Sequence, residues 1–367
     1  MEKLGKKVYA IPVAICILAT CILSCMFYPM LHMELRGLPM AVTSADQGIK
    51  TPAGTVNAGD TVVEGILAMN DVEGIPFAWV EVEDQTTLDT AMEKGEYYAA
   101  IIVPEDFSVS NMPGAQPEAI TLLVDHAKSP LVSALLGAKL ADQLTAAGLP
   151  IEMVALHAAD FESEFAAGNP VAPAITQQIL ITALVLMSMV TGLLITRIML
   201  IKRGAPVSDR VKTIAQQVVY SVIIALLVAT AIAFIIGCVV GVSMPLVDVF
   251  VICFVASWCV VLFVSGFGNI HPGLAILAIL VIVSGMLCGI LPVEALPQFW
   301  QDWIYPWAPQ TFMGEALRAT LFVGDGILTD SLLKLFAFPA IGLGLTFISA
   351  FLPAGKGVKA EAETTAE

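Results

Sequence analysis

Two short stretches of this 367-residue chain gather side chains that could do chemistry. The first places Lys202, Arg203, Asp209, Arg210 and Lys212 around Pro206. Beside apolar runs, a basic cluster of this kind fixes membrane orientation and meets lipid headgroups. The second runs from Glu294 to Asp330 and contains Pro297, Trp303, Pro306, Pro309, Glu315 and Arg318, with Phe299, Trp300, Tyr305, Trp307 and Phe312 among them. It is too polar to cross a bilayer. Its Trp and Tyr favour the membrane interface, and its prolines cut it into short pieces. Glu315 and Arg318 stand one helical turn apart, so they can pair and lower the cost of lying near lipid.

No other stretch offers a catalytic constellation. The histidines His32, His126, His157 and His271 are dispersed, and no CxxC pair or His/Cys cluster suggests a metal site. All seven cysteines lie in apolar runs, where small thiols usually serve packing. No G-x-S-x-G elbow presents a nucleophilic serine. Asp46, Asp60 and Asp125 stand at the ends of expected strands or helices, where capping and turn formation explain them. The chain also lacks G-x-x-x-x-G-K-[ST], so it is not itself an ATPase. Catalytic, cofactor-binding and metal sites are therefore expected to be absent.

The elements that position these stretches are mostly apolar. Mean hydropathy is +0.85 and only 13% of residues are charged, against about 25% in soluble domains. Six runs are long enough to cross the bilayer as helices, at about 20 residues each. They are Val8–Met30, Ile175–Leu200, Val218–Val242, Leu246–Val264, Gly273–Leu291 and Leu333–Leu352. Lys3, Lys6 and Lys7, the cluster from Arg197 to Lys212, and Lys356 with Lys359 all fall on one side of a six-span arrangement. The positive-inside rule places that side, and both termini, in the cytoplasm. Leu18-Ala19-Thr20-Cys21 approaches a lipoprotein cleavage box. The apolar run continues beyond Cys21, however, and Thr20 stands where Gly or Ala is usual, so this segment reads as a retained anchor.

Residues 31–174, between the first two spans, hold 21 of the 32 acidic residues and only five of the 17 basic ones. The net charge of −15 is thus a property of this stretch, and it excludes nucleic acid as a partner. Strands are expected at Leu38–Thr43, Phe77–Val82, Tyr97–Val103 and Ala119–Val124. Helices are expected from Asn57 to Met69, over Thr86–Gly95 and over Leu131–Ala147, with Ser44–Thr55 a loop and a helical stalk to Pro173. The expected fold is an α-helical polytopic membrane protein of six transmembrane helices, with a small α/β extracytoplasmic domain between helices 1 and 2. Its parts are 1–30 (cytoplasmic N-terminus and first span), 31–174 (extracytoplasmic domain and stalk), 175–353 (five spans with a re-entrant segment at 292–330) and 354–367 (cytoplasmic tail).

Several stretches resemble a known family. They include Leu38-Pro39-Met40-Ala41-Val42, Asp46-Gln47-Gly48, Val56-Asn57-Ala58-Gly59-Asp60, and Ala91 through Gly95-Glu96-Tyr97-Tyr98-Ala99 to Val103-Pro104-Glu105-Asp106-Phe107-Ser108. Further on come Leu296-Pro297, Ile304-Tyr305-Pro306-Trp307-Ala308-Pro309-Gln310-Thr311-Phe312 and Glu315-Ala316-Leu317-Arg318. Together they resemble the YhgE/Pip (phage infection protein-like) branch of the type-two ABC exporter permeases. Many members of that branch have a much longer coiled-coil region outside the membrane than 131–170 here, which weighs against functions needing a long stalk.

The resemblance implies a permease in a bacterial cytoplasmic membrane, with short re-entrant helices dipping into the outer leaflet. It implies a separate ABC ATPase carrying ATP–Mg, and a second permease subunit, identical or not. Lys202, Arg203, Pro206, Asp209, Arg210 and Lys212 would then form the ATPase-coupling loop. The spans hold few ionisable groups, namely Arg197, Asp248 and Lys334 near their ends. That disfavours an ion-coupled carrier and suits a lipid-like or amphipathic substrate. The alternative is a non-transporting scaffold or receptor, of the phage-infection or type VII secretion accessory type, acting through the outer domain.

Overall fold

The structure is a computed structural model. It describes residues 27–157 except 53, 117 and 147, then 171–241, 244–324 and 326–353, together with positions 17, 20, 21 and 24. Most of the expected first span, Lys3, Lys6, Lys7, most of the stalk, and the tail with Lys356 and Lys359 lie outside the described residues.

The first half builds a five-stranded mixed sheet from β1 (Leu38–Ser44), β4 (Phe77–Glu81), β5 (Ala99–Val103), β6 (Ile120–Asp125) and β7 (Ile151–Leu156). Its order is β4-β1-β5-β6-β7, with only the β5–β6 pair antiparallel. Alternation decides the faces. Leu38, Met40 and Val42 of β1 point to one side, where they meet α1 (Ala58–Leu67) and α4 (Pro130–Ala146) through Val63, Ile66, Val132, Leu136 and Leu140. Ala41 and Ala100 point to the other, beneath α2 (Gln85–Glu93) with Leu88 and Met92. Asn57 caps α1 by accepting from the Asp60 amide, and Asp84 caps α2 by accepting from the Thr87 amide.

Two expectations fail here. The loop 44–55 contains a small hairpin, β2 (Ile49–Thr51) with β3 (Gly54–Val56), whose three-residue strands are too short for alternation to show. The expected stalk begins instead as β7, a strand at the sheet edge with Glu152, Met153 and Val154 exposed. A short apolar run of this kind does not separate strand from helix by periodicity.

Beyond the C-terminal ends of β1 and β5, Asp46 ties three segments together. Its Oδ2 accepts from the Gly59 amide (2.9 Å) and the Ser108 hydroxyl, and its Oδ1 accepts from the amides of Ser108 (3.1 Å) and Gly48 (3.2 Å). Ser108 Oγ accepts in turn from the Ala58 amide, while Asn57 Nδ2 donates to the Asp46 carbonyl. Phe107–Ser110 forms a single helical turn, α3, at this knot. Gly59 is required by space, because a Cβ there would lie 2.5 Å from Ser44 Oγ and 2.6 Å from Asp46 Cβ.

Among the described residues of the second half, four helices are long and apolar enough to span a membrane. They are α5 (Ala172–Ile198), α6 (Val207–Phe234, prolonged to Val240 by a wider turn), α7 (Leu246–Ile270), and the pair α11 (Asp330–Leu335) and α12 (Ala337–Phe351). α7 is the central helix. Its Gly266 lies against Gly342 of α12 so closely that an added Cβ would sit 2.3 Å from the Gly342 carbonyl oxygen. Small residues permit such approach where burial against lipid gives no driving force.

The expected span Gly273–Leu291 is not one straight helix. α8 (Pro272–Ser284) ends after 13 residues, about 20 Å by helical rise and short of the roughly 30 Å hydrocarbon layer. Residues 285–290 then turn. The chain bends because a neighbour occupies the space: a Cβ at Gly285 would lie 2.6 Å from Ala308 Cβ, and one at Gly289 would lie 2.6 Å from the Gln310 carbonyl. That neighbour is the proline-broken segment, α9 (Gln298–Trp303) and α10 (Pro309–Arg318).

Candidate functional site

The N-terminal end of β5 and the C-terminal end of β6 share one edge of the sheet, and this edge rests on the broken helices. Leu131, at the start of α4, packs against Cys288, Leu291, Leu296, Trp300 and Ile304. Beside it the buried Tyr98 hydroxyl donates to Glu294 Oε2 at 2.8 Å, joining residues 196 positions apart. Burial first, and then the adjacent carboxylate, hold the Tyr98 phenol protonated well above its ordinary range. Lys128 Nζ lies 4.4 Å from the Tyr98 ring centroid and donates to the Glu96 carbonyl. Burial lowers the Lys128 pKa, and Glu294, Asp125 and Glu96 oppose that shift. Asp125, itself buried, accepts from the Ala127 amide (2.8 Å) and lies 3.0 Å from His157 Nδ1.

Below this edge, polar groups hold the broken segment in place. Gln177 of α5 donates to the carbonyls of Gly289 (2.9 Å) and Gly314 (3.3 Å). Gln310 donates to the Ile282 carbonyl at 2.7 Å, Arg318 to the Gly289 carbonyl at 3.1 Å, and Trp300 Nε1 to the Ser284 carbonyl at 2.7 Å. The carbonyls of Ile282, Ser284 and Gly289 lie where α8 stops, and each would be costly if left bare. Glu315 and Arg318 do not form the expected pair: Glu315 accepts from Ser331 Oγ at 2.6 Å, while Arg318 is held by Gly289. The open carbonyl and hydroxyl were nearer, in geometry, than the i+3 neighbour. Pro297 precedes α9, Pro306 stands in the turn between the two helices, and Pro309 begins α10. Trp300 points inward and stacks on Tyr28, whereas Phe299 and Trp303 are exposed, as aromatic rings at a bilayer surface are.

The basic cluster is divided between the loop joining α5 to α6, with Lys202, Arg203 and Pro206, and the first turns of α6, with Asp209, Arg210 and Lys212. No separate helix stands there, since α6 runs unbroken from Val207. Arg203 donates to the Ile270 carbonyl at the end of α7. Arg210 donates to the carbonyls of Ala205 (2.8 Å), Ala350 (2.8 Å) and Leu352 (3.1 Å), so it ties the start of α6 to the end of α12. Both arginines thus satisfy helix C-termini within this chain. Lys202, Pro206, Asp209 and Lys212 are exposed and make up the accessible face. Beneath the loop, Gln217 and Asn269 bond to each other, Gln217 also donating to the Met199 carbonyl and Asn269 to Thr346.

Lys128 and Gln177 were not singled out from sequence, and Tyr98 and Gln310 stood only within the stretches that carry the resemblance. The Gln177–Gln178 pair near the start of an apolar run is a usable signal, because an amide in lipid must find a partner. Tyr98 and Lys128 gave none, as their partners are far away in the chain.

The long apolar helices, the broken segment and the bonded polar groups between them define a multi-pass, membrane-embedded protein. A family model described as ABC-2 family transporter protein matches residues 12–352. The chain belongs to that family and is a permease component of an ABC transporter, which works with an ATPase subunit. No curated protein and no solved structure matches it.

Proposed function

We propose that this permease exports an amphipathic substrate from the cytoplasm or inner leaflet, driven by ATP on a separate subunit. The observation that carries this reading is the family match over 12–352 in a chain without a phosphate-binding loop. In the proposed arrangement the chain crosses a bacterial cytoplasmic membrane six times with both termini inside. The crossings are the first apolar run, the four long helices, and α8 completed by the broken segment. The acidic sheet then lies outside, and residues 292–330 form the re-entrant element on which it rests. A second permease subunit completes the pathway, and the chain stands in the YhgE/Pip branch.

The ATPase docks on the loop between α5 and α6. Because Arg203 and Arg210 are engaged inside the chain, the docking contacts fall to Lys202, Pro206, Asp209 and Lys212. Replacing both Lys202 and Lys212 by glutamate should lower ATPase stimulation by about tenfold, the equivalent of one lost charged contact pair. Thermal stability should stay unchanged, since both side chains are exposed. Stimulation equal to that of the wild-type protein would remove the docking role from this loop.

A further inference from the structure

A cleft of about 370 Å³ opens where the sheet meets α10. Glu93 and Lys94 at the end of α2, Asp125 and Lys128 after β6, and Glu315 and Arg318 of α10 all line it. It therefore holds three positive and three negative side chains in a small space. Among the described residues, none of these six forms an ion pair with another of them; Asp125 instead lies 3.0 Å from His157 Nδ1. Two of the three cations are held by neutral acceptors instead. Lys128 is fixed by the Glu96 carbonyl and the Tyr98 ring, and Arg318 by the Gly289 carbonyl. Their positions are set without a direct ion pair, although the carboxylates of Glu294, Asp125 and Glu96 act on the Lys128 charge.

The wall itself changes character toward the membrane half. Ala319 and Val323, on the turn that follows α10, form an apolar lip. His157 closes another part of the wall with a backbone φ of 51°, the only positive φ among described non-glycine residues. Such conformations are strained and persist where surrounding contacts enforce them. Here the Asp125 bond supplies one such contact.

A ligand with only negative charge would meet three carboxylates in this cleft, and one with only positive charge would meet three cations. A head bearing both charges, on a tail that leaves over the apolar lip, satisfies the whole lining. We propose that the cleft receives a zwitterionic amphiphile, its phosphate against Lys94, Lys128 and Arg318, its amine against Glu93 and Glu315, and its tail along Ala319 and Val323. This rests on the exporter topology, which puts the sheet outside and the lip at the outer membrane surface. An occupant would touch the sheet and the re-entrant element together.

The test is native mass spectrometry of the full-length protein in an uncharged maltoside, titrated with short-chain phosphatidylethanolamine. The site predicts saturable binding, weakened about tenfold in the Lys94→Gln/Lys128→Gln variant. It also predicts weaker binding of the matching phosphatidylglycerol, and none of the matching diacylglycerol or of free phosphoethanolamine at equal concentration. Should the double variant fail to fold, Glu93→Gln serves instead: this residue is exposed, and its loss should erase the preference for the ethanolamine lipid. Equal binding of the two phospholipids by wild-type protein, equal binding of diacylglycerol, or unaltered binding by the variants would overturn the proposal. Tight binding of free phosphoethanolamine would overturn the amphiphile in favour of a soluble ligand. The assay needs no ATPase. Loss of lipid binding with an ATPase still associated sinks this site alone, and lipid binding without an ATPase sinks the exporter reading alone.

Discussion

Replacing Gly314 with valine should unseat the broken segment and leave a protein that is poorly stable in detergent. A Cβ at Gly314 would stand 2.1 Å from the Gly289 carbonyl oxygen, and the obstacle is backbone on both sides. The same carbonyls accept from Gln177 and Arg318, so a shift that relieved the clash would break two or three hydrogen bonds. Overpacking of this kind costs about 3 kcal/mol, or a melting point lower by about 5–10 °C in a domain of this size. Gly344→Val is the control, since nothing lies within 4 Å of a Cβ there. Equal melting points for the two variants would mean that α10 does not approach the turn after α8 this closely.

Asp46→Ala should unfold the sheet by a similar margin. It strips acceptors from three amides and a hydroxyl at once, and three of these four bonds are buried. With about 1–3 kcal/mol for each buried donor left unpaired, a loss of about 3–5 kcal/mol is expected. Asp46→Asn, which keeps one acceptor, should fall between. The pH dependence carries its own sign. Burial is the largest single influence on the Asp46 carboxyl and pushes its pKa upward, but the Ser108 hydroxyl and the amides of Gly59, Ser108 and Gly48 together outweigh it and hold the pKa below the ordinary value. The stabilisation is therefore complete above about pH 4, the unfolded value, and is lost as pH falls through the lower folded value. Wild-type stability should drop on that acid limb, and Asp46→Asn should flatten the drop. An unchanged acid limb in the variant would assign the effect to other carboxylates.

These two sites show what was and was not legible in the chain. The strand Leu38–Ser44 is marked by alternation, and the Asn57 cap by residue type and position. The four long helices are marked by apolar runs of the right length. The break after Ser284 is not marked that way, because residues 285–291 remain apolar. It is dictated by α10, which arrives from later in the chain and needs Gly285 and Gly289 bare. In the Asp46 knot, Asp46 itself was in view as a turn former, but a carboxylate serving both Gly59 and Ser108 is a tertiary fact. Tyr98 and Glu294 likewise meet only in the folded chain. At the basic loop, composition showed charge and hid its use. Arg203 and Arg210 look identical in kind to Lys202 and Lys212, yet the arginines close helix ends and the lysines face outward. Local periodicity thus reports elements, whereas contacts between distant segments set the site.

The most direct test of the account is affinity purification of the tagged, full-length protein in mild detergent, with identification of its partners and assay of ATP hydrolysis. The account predicts a stoichiometric ABC ATPase whose activity rises in the complex and falls when Lys202 and Lys212 are both changed to glutamate. Reproducible recovery of the protein without any ATPase, in company with secretion or envelope proteins, would contradict it and leave the chain a membrane scaffold.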